Sequence, residues 1–435
     1  MSVRTRFAPS PTGKVHIGNI RVAIFNWLFA RHHNGSFLLR VEDTDRERST
    51  EESIATLLDT LEWLDLTFDE DALYQSHRKK EHLASADLLL SKGLAYKEDK
   101  GNKGKGECII FKMPNENIYF NDSIKGRLHK SAEDMKDFVI VRSDGTPVFH
   151  LANVVDDIHQ KISHVIRGDD HIENTFRHIA LYRALNEDIP NFSHLPMIIN
   201  SQGKPYSKRD GDAFVHDFKD KSFSSEALFN YLTLLGWSAG NDQEIFRKEE
   251  IIKLFSLERC LSSAAQFDIK KLTWMNGEYL LNMSSEKFHE KVYPIISNSY
   301  PTASKENIKD VISLIKERVK IFSEIPNMVK FFFDDNYDFN TKAVDKKLKK
   351  DGVKQILLDL IILFKNLDAF TSSTIQEELN TYVSSSTSKF GEVMIPLRIS
   401  LSGQSGGPDL FNIIAILGKD KVIKRIQKTI DKFLI

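Results

Sequence analysis

Only two cysteines, Cys108 and Cys260, occur in 435 residues, and they lie far apart. They can build neither a disulfide framework nor a Cys-x-x-Cys metal site, which fits a reducing cytoplasm. No sign of charge dominates either, since 60 Lys and Arg against 61 Asp and Glu leave a net −1. Proteins that hold nucleic acid without sequence preference usually carry a basic excess, so any polyanion site here must be a local patch. Two basic clusters exist, at residues 346–350 and 419–432, and a solvated helix face accounts for either one equally well. Long apolar runs are missing too. The most apolar stretch, residues 356–364, is interrupted by Asp359 and falls far short of the ~20 residues that span a membrane. The first residues form no apolar secretory core, and no internal repeat is evident. A cytoplasmic protein with no membrane association is expected.

What is present begins at Arg6-Phe7-Ala8-Pro9-Ser10-Pro11-Thr12-Gly13-Lys14-Val15-His16-Ile17-Gly18-Asn19. A short apolar run precedes it. Behind it, Ile20, Ala23, Ile24, Trp27 and Leu28 follow helical spacing and predict an amphipathic helix closed by Asn34-Gly35. Strand, Pro/Gly loop and helix N-terminus together make a natural phosphate site, because backbone N–H groups and the helix dipole point at the loop. The loop is neither a Walker loop nor G-x-G-x-x-G, and a lone His-x-Gly is most often an ordinary βα turn.

Phe37-Leu38-Leu39-Arg40-Val41 reads as a buried parallel strand that delivers Glu42-Asp43-Thr44-Asp45 to its C-terminal edge, where open α/β sheets bind ligands. Ser49 to Glu52 reads as a capping box, and a further helix is expected from Ser76 to a C′ glycine at Gly93. A polar loop spans 97–106. Strands are expected over 108–113 and 138–150, the latter turning at Asp144-Gly145, then a strand over 162–168, a helix over 172–185 and a strand over 195–199. That last strand runs into a basic loop, Asn200 to Gly211. Beyond about residue 225 the periodicity is helical, with Val353, Ile356, Leu357, Leu360, Ile361 and Phe364 on one apolar face and a Ser/Thr loop at 384–388.

With these motifs in order, the chain resembles the class I aminoacyl-tRNA synthetases and, within them, the bacterial-type glutamyl-tRNA synthetases. His16-Ile17-Gly18-Asn19 is similar to the family's His-Ile-Gly-His element, and Ser207-Lys208-Arg209 to the end of its Lys-Met-Ser-Lys-Ser loop. Further matches are residues 7–13, Arg40-Val41-Glu42-Asp43-Thr44-Asp45-Arg46, residues 151–157, Leu235-Gly236-Trp237, residues 271–276 and Gly407-Pro408-Asp409-Leu410-Phe411. They span essentially the full chain.

The resemblance implies an α/β class I Rossmann-like catalytic domain split by an α/β insertion and followed by all-α domains. The expected division is 1–82 and 156–222 for the catalytic halves, 83–155 for the acceptor-end insertion, 223–287 for a stem-contact domain and 288–435 for an anticodon-binding region. The implied activity is attachment of L-glutamate to tRNA(Glu) through glutamyl-adenylate, with ATP and Mg2+, by a cytoplasmic monomer. By resemblance His16, Gly18, Asn19, Ser207, Lys208 and Arg209 are catalytic. Arg6, Ala8, Ser10, Glu42, Phe149, Asn153 and Arg167 hold glutamate. Pro9, Thr12, Gly13, His16, Gly18, Asp170 and Lys208 hold ATP.

Neither step needs a protein nucleophile, so catalysis is expected from positioning and charge stabilisation. Glutamate offers two carboxylates and one ammonium, and guanidinium groups with one anion suit it. The chain departs from the family pattern at Asn19 (second His), Pro205 (first Lys of the second loop, with Lys204 adjacent) and Phe149 (commonly Tyr). Its insertion carries only Cys108, so no structural zinc is expected. His159, His164, His171 and His178 read as structural or surface residues. The alternatives are an enzyme that also charges tRNA(Gln), and a catalytically silent tRNA-binding protein. A glutaminyl-type enzyme would carry a β-barrel in the C-terminal half, and a short tRNA-modifying paralogue would lack an anticodon domain.

Overall fold

The computed structural model describes residues 2–44, 49–99 and 106–434, so Asp45-Arg46 and most of the 97–106 loop lie outside the described residues. The chain divides into two compact units, Met1–Met275 and Asn276–Ile435. In the first, the strand Arg4–Phe7 pairs in parallel with Ser36–Val41, from Arg4 opposite Ser36 to Phe7 opposite Leu39, and Leu73–Tyr74 extends this sheet. A second sheet runs Gly126–Lys130, Ile118–Asp122, Asn191–Leu195, His164–Gly168, and its last two strands are parallel. Ser163 joins the two sheets: its hydroxyl accepts the Arg4 N–H at 2.8 Å and its own N–H donates to the Arg4 carbonyl at 3.0 Å. Three antiparallel strands, Ala95–Glu98, Cys108–Phe111 and Phe138–Val141, make the separate sheet expected within the insertion.

The helix Ile17–His32 is more central than an amphipathic pattern allows. It is buried on all sides, at Phe25, Trp27 and Phe29 as well as at the expected Ile20, Ala23, Ile24 and Leu28. The helices Ser225–Leu234 and Lys248–Leu254 cover the side that a two-layer fold would leave to water. A helix apolar all round belongs inside. Its buried Asn26 supplies the polar tie, donating from Nδ2 to the carbonyls of Val22 and Ile166 at 2.8 Å each. Asn34 follows the helix in the left-handed region, at φ 51°.

Several expectations need correction. The cap of the helix Glu51–Trp63 is Thr50 rather than Ser49, its hydroxyl accepting the Ser53 N–H at 3.2 Å. The segment 138–150 is a strand only to Val141. It turns at Asp144-Gly145 as read, but Phe149–His159 is a helix whose residues 151–157 are all buried. The strand expected over 195–199 is two pieces, Asn191–Leu195 and Ile198–Ile199, separated by Pro196, which has no N–H for a ladder. Ser384 and Ser385 finish the helix Ser372–Ser385 instead of opening a loop. Elsewhere the expected helix Ile172–Leu185 is found, and Gly93 follows the helix Lys79–Ser91 with φ 71°. Lys79–Ser91 and Phe149–His159 run through positions 82–83 and 155–156.

The described part of the second unit is helical and strand-free, with one continuous core from Leu280 to Ile430. The helix Val353–Asn366 turns Val353, Leu357, Leu360, Ile361 and Phe364 into it. Lys419 and Lys421 of the final basic cluster are structural. Lys419 donates to the Lys365 and Leu367 carbonyls at 2.9 and 2.6 Å, and Lys421 to the Phe332 carbonyl at 2.9 Å. Among the described residues no helix is long and apolar enough to cross a membrane.

Candidate functional site

A cavity of about 740 Å3 opens beyond the C-terminal ends of the parallel strands Arg4–Phe7, Ser36–Val41, His164–Gly168 and Asn191–Leu195, the edge at which parallel sheets receive ligands. From the first loop, Arg6, Ala8, Pro9, Ser10, Thr12, His16, Gly18 and Asn19 line it. Glu42, Phe149, Asn153, Arg167 and Asp170 complete the wall from four other elements.

Four of the expected residues stand elsewhere. Gly13 is not on the wall: its φ of 121° demands glycine, and a Cβ there would meet nothing within 4 Å. Backbone shape alone is enough to require glycine there. Ser207, Lys208 and Arg209 are also off the wall, although Pro205 and Tyr206 just before them line it. Lys208 and Arg209 are exposed, as charged side chains are when nothing in the fold neutralises them. Asp210 shapes this loop, accepting the Ser207 N–H and hydroxyl at 2.9 Å each and the Asn200 amide at 2.7 Å.

The two loops are stitched together behind the cavity. The Ile17 N–H donates to the Ala213 carbonyl at 2.9 Å, and the Val215 N–H to the Val15 carbonyl at 3.0 Å. His16 caps the central helix, its Nδ1 accepting the Gly18 N–H at 3.1 Å, and a Cβ on Gly18 would crowd that nitrogen at 3.3 Å. Burial lowers the His16 pKa, partly offset by the Tyr206 backbone, so the ring stays neutral near pH 7 and can accept.

The deep end of the cavity is a buried charge network. Arg6 and Arg40 share Asp157, at 3.0 and 2.6 Å, and Arg40 also faces Glu42 at 3.6 Å. Burial opposes ionisation of Asp157, but the two guanidiniums outweigh it and hold its pKa below the usual carboxylate range. At Glu42 burial wins over Arg40, Arg6 and the 2.8 Å hydrogen bond from Asn153, and its pKa is raised. Arg167 differs from the other two guanidiniums. Its partners are neutral: His194 Nε2 at 3.3 Å, Thr175 Oγ1 at 2.7 Å, the His171 carbonyl at 3.3 Å and His178 Nδ1 at 3.4 Å. No carboxylate pairs with it among the described residues, and burial lowers its pKa to about 9. An unneutralised buried cation at a cavity wall is a site for an anion.

Sequence reasoning passed over Arg21, His171, Asn174 and Tyr206, which also line the cavity. Arg21 left one signal, a charge inside an otherwise apolar helix. It is buried, donates to the Leu235 carbonyl at 2.7 Å and to that of Pro196, and burial lowers its pKa to about 10. His171, read as structural or surface, is a wall residue beside the Phe149 ring. Among the described residues no three His, Cys, Asp or Glu are grouped to hold a metal ion. The second unit has a cavity of its own, about 710 Å3, lined by Arg318, Arg398, Pro408 and Asp409 among others. Arg398 donates to the Pro408 carbonyl at 2.6 Å.

Residues 2–103 and 97–274 match the profile of the tRNA synthetases class I (E and Q), catalytic domain, and residues 287–430 match an anticodon binding domain. A glutamate–tRNA ligase 2 from Thermoanaerobacter pseudethanolicus is 36% identical, over 99% of this chain and 98% of the relative. A glutamate–tRNA ligase from Legionella pneumophila is 38% identical over the same shares, 99% and 98%. The crystal structure of a glutamate tRNA ligase from Elizabethkingia meningosepticum, in complex with its amino acid, is similar with a TM-score of 0.88 at 30% identity, covering 100% of both chains.

Proposed function

Because the chain belongs to the glutamate–tRNA ligase family of class I tRNA synthetases, we propose that it attaches L-glutamate to tRNA(Glu) at the expense of ATP. The observation that carries the choice of amino acid is the charge pattern of the deep end. Arg6 and Arg40 are answered by Asp157 and Glu42, while Arg167 has no counter-charge. Glutamate, with two carboxylates and one ammonium, brings one net negative charge to balance it. In this reading Arg167 and Arg6 receive carboxylate oxygens, Glu42 receives the ammonium, and Asn153 holds the Glu42 carboxylate in place.

The α-carboxylate of glutamate attacks the α-phosphorus of ATP and pyrophosphate leaves. A hydroxyl of the terminal tRNA ribose then attacks the glutamyl-adenylate carbonyl, and AMP leaves. The nucleotide lies along residues 8–19, where the helix N-terminus and neutral His16 face its phosphates. Lys208, solvated at the rim, closes on the charge that develops there. Asp170, exposed on the wall, is the carboxylate available to a Mg2+ ion that arrives with the triphosphate, since such ions take few protein oxygens and several phosphate ones.

The second unit reads the anticodon, and its Arg318–Arg398 cavity takes an anticodon base. The division at 1–82, 83–155, 156–222, 223–287 and 288–435 belongs to the same proposal, as do the cytoplasmic setting and the monomer. The test is charging of purified tRNA(Glu) and tRNA(Gln) transcripts with labelled glutamate, ATP and Mg2+. Charging of tRNA(Glu) alone is the expected result. Charging of both would overturn the specificity, and salt-dependent binding without charging would overturn catalysis.

A further inference from the structure

Arg167 is positioned by groups that no motif identifies. The side chains of His194 and Asp122 are both fully buried, and Asp122 Oδ2 lies 2.6 Å from His194 Nδ1. Asp122 ends the first strand of the hairpin Ile118–Asp122 and Gly126–Lys130. Its Oδ1 also accepts the N–H groups of Ile124 at 2.9 Å and Lys125 at 2.8 Å. Burial opposes the Asp122 charge, but these donors outweigh it and its pKa is lowered. Burial likewise lowers the His194 pKa, with Asp122 pulling the other way. The pair is therefore an ionised carboxylate and a neutral imidazole. The single imidazole proton must then sit on Nδ1, facing Asp122, which leaves Nε2 as an acceptor.

That acceptor is aimed at Arg167 Nε, 3.3 Å away, and at Thr175 Oγ1, 3.0 Å away, while Thr175 Oγ1 in turn accepts from Arg167 Nη2 at 2.7 Å. The face of the Phe192 ring lies 5.7 Å from the guanidinium carbon. Nε and Nη2 are thus held by the fold, and Nη1, with only the 3.4 Å contact to His178, is the part left for a ligand. Had the proton been on Nε2, it would face the Arg167 Nε–H, donor against donor, and the guanidinium would be pushed off its seat; Thr175 Oγ1, which can also donate to the His171 carbonyl at 3.2 Å, fits either tautomer.

We propose that the Asp122–His194 pair is a positioning device for glutamate recognition: by fixing the His194 tautomer it orients Arg167 toward the substrate carboxylate. It rests on the reading of Arg167 as a carboxylate binder. It adds a structural link from the hairpin in the insertion to the amino-acid pocket, through residues 72 positions apart in the chain.

Two substitutions of one residue separate this role from a merely structural one. His194→Asn keeps a donor where Nδ1 stood, and with it the Asp122 contact, but places nothing at Nε2. His194→Gln places an acceptor near the Nε2 position and gives up the side-chain contact to Asp122, keeping only the 3.2 Å bond from the backbone N–H of residue 194. In the full-length protein, with ATP and tRNA saturating, His194→Asn is expected to raise the KM for glutamate at least about tenfold. Its kcat and its KM for ATP should stay within about threefold. His194→Gln should stay within about threefold of the parent KM even if its Tm is the lower of the two. Asp122→Asn should fall between them.

An equal effect of the two substitutions, or a larger KM increase for Gln than for Asn, overturns the proposal, because a structural role depends on the side-chain contact to Asp122 Oδ2 that only Asn retains. Loss of kcat and of ATP affinity along with glutamate affinity also overturns it. Arg167→Lys is the reference. If it raises the glutamate KM while both His194 variants leave it unchanged, positioning fails and the glutamate site stands. If Arg167→Lys itself leaves that KM unchanged, the reading of the site fails as well.

Discussion

At Glu42 burial and ligand chemistry pull in opposite directions. Burial raises its pKa against the opposing pull of Arg40, Arg6 and the Asn153 hydrogen bond, so the folded protein protonates this group more readily than an unfolded chain does. The charged form therefore costs stability above the unfolded-state pKa, and in the proposed function a bound ammonium offsets that cost. The sign for binding follows. Glutamate affinity should fall as pH drops through the raised Glu42 pKa and level off above it. Glu42→Gln should raise the glutamate KM by about 10- to 100-fold and flatten that limb of the profile, read from kcat/KM against pH. A profile identical in the two proteins would remove Glu42 from ammonium binding. Phe149 makes the converse case. Its ring lines the cavity between His150, His171 and His178 and brings no polar atom to it. Phe149→Tyr adds a hydroxyl to a wall that faces glutamate in the proposed function. One new hydrogen bond of about 1 kcal/mol predicts a glutamate KM lower by about threefold to tenfold, with kcat little changed.

Among elements, the 200–211 loop is held by its own hydrogen bonds. Asn200 Oδ1 accepts the Gln202 and Lys204 N–H groups at 2.9 and 3.0 Å, and Asp210 holds Ser207 and Asn200. Its cations are exposed, so in the proposed function the loop presents them to the phosphates. Asp210→Ala and Lys208→Ala should thus resemble each other: kcat for activation down by about tenfold or more, KM for glutamate unchanged. A glutamate KM that moves with kcat would place the loop in the amino-acid pocket instead. Which elements could be read from sequence depended on where their partners lie. Ser36–Val41 and Ile172–Leu185 announce themselves by a continuous apolar run and by helical periodicity. The hairpin strand Gly126–Lys130 is largely exposed and mostly polar, so it has no pattern to read. Asn191–Leu195 hides because its buried Ser193 and His194 look like loop residues until Asp122 is found opposite them. In the site the motif residues Arg6, Glu42, Asn153 and Arg167 were legible, but their partners were not: Arg40 and Asp157 meet across 117 residues.

For the molecule as a whole, a net charge of −1 means that the polyanion of the proposed function has to be met by local cations: exposed Lys208 and Arg209 on the 200–211 loop, and Arg318 and Arg398 in the cavity of the second unit. The two units have separate cores. The helical core runs from Leu280 to Ile430. A chain ended after the helix Ile269–Leu281 removes that core and leaves the first cavity's lining complete. It should melt cooperatively and bind ATP with an affinity near that of the parent, because no residue that faces the nucleotide has been lost. Its charging of tRNA(Glu) should fall by more than about 100-fold, carried by the KM for tRNA, because the anticodon contacts and their salt-dependent share of binding are gone. Charging with an unchanged KM for tRNA would show that the helical unit does not select the substrate. Failure to melt cooperatively would show that the catalytic core depends on the helical one. Selection and chemistry are then separable in this chain to the extent that the two numbers, ATP affinity and the KM for tRNA, move independently.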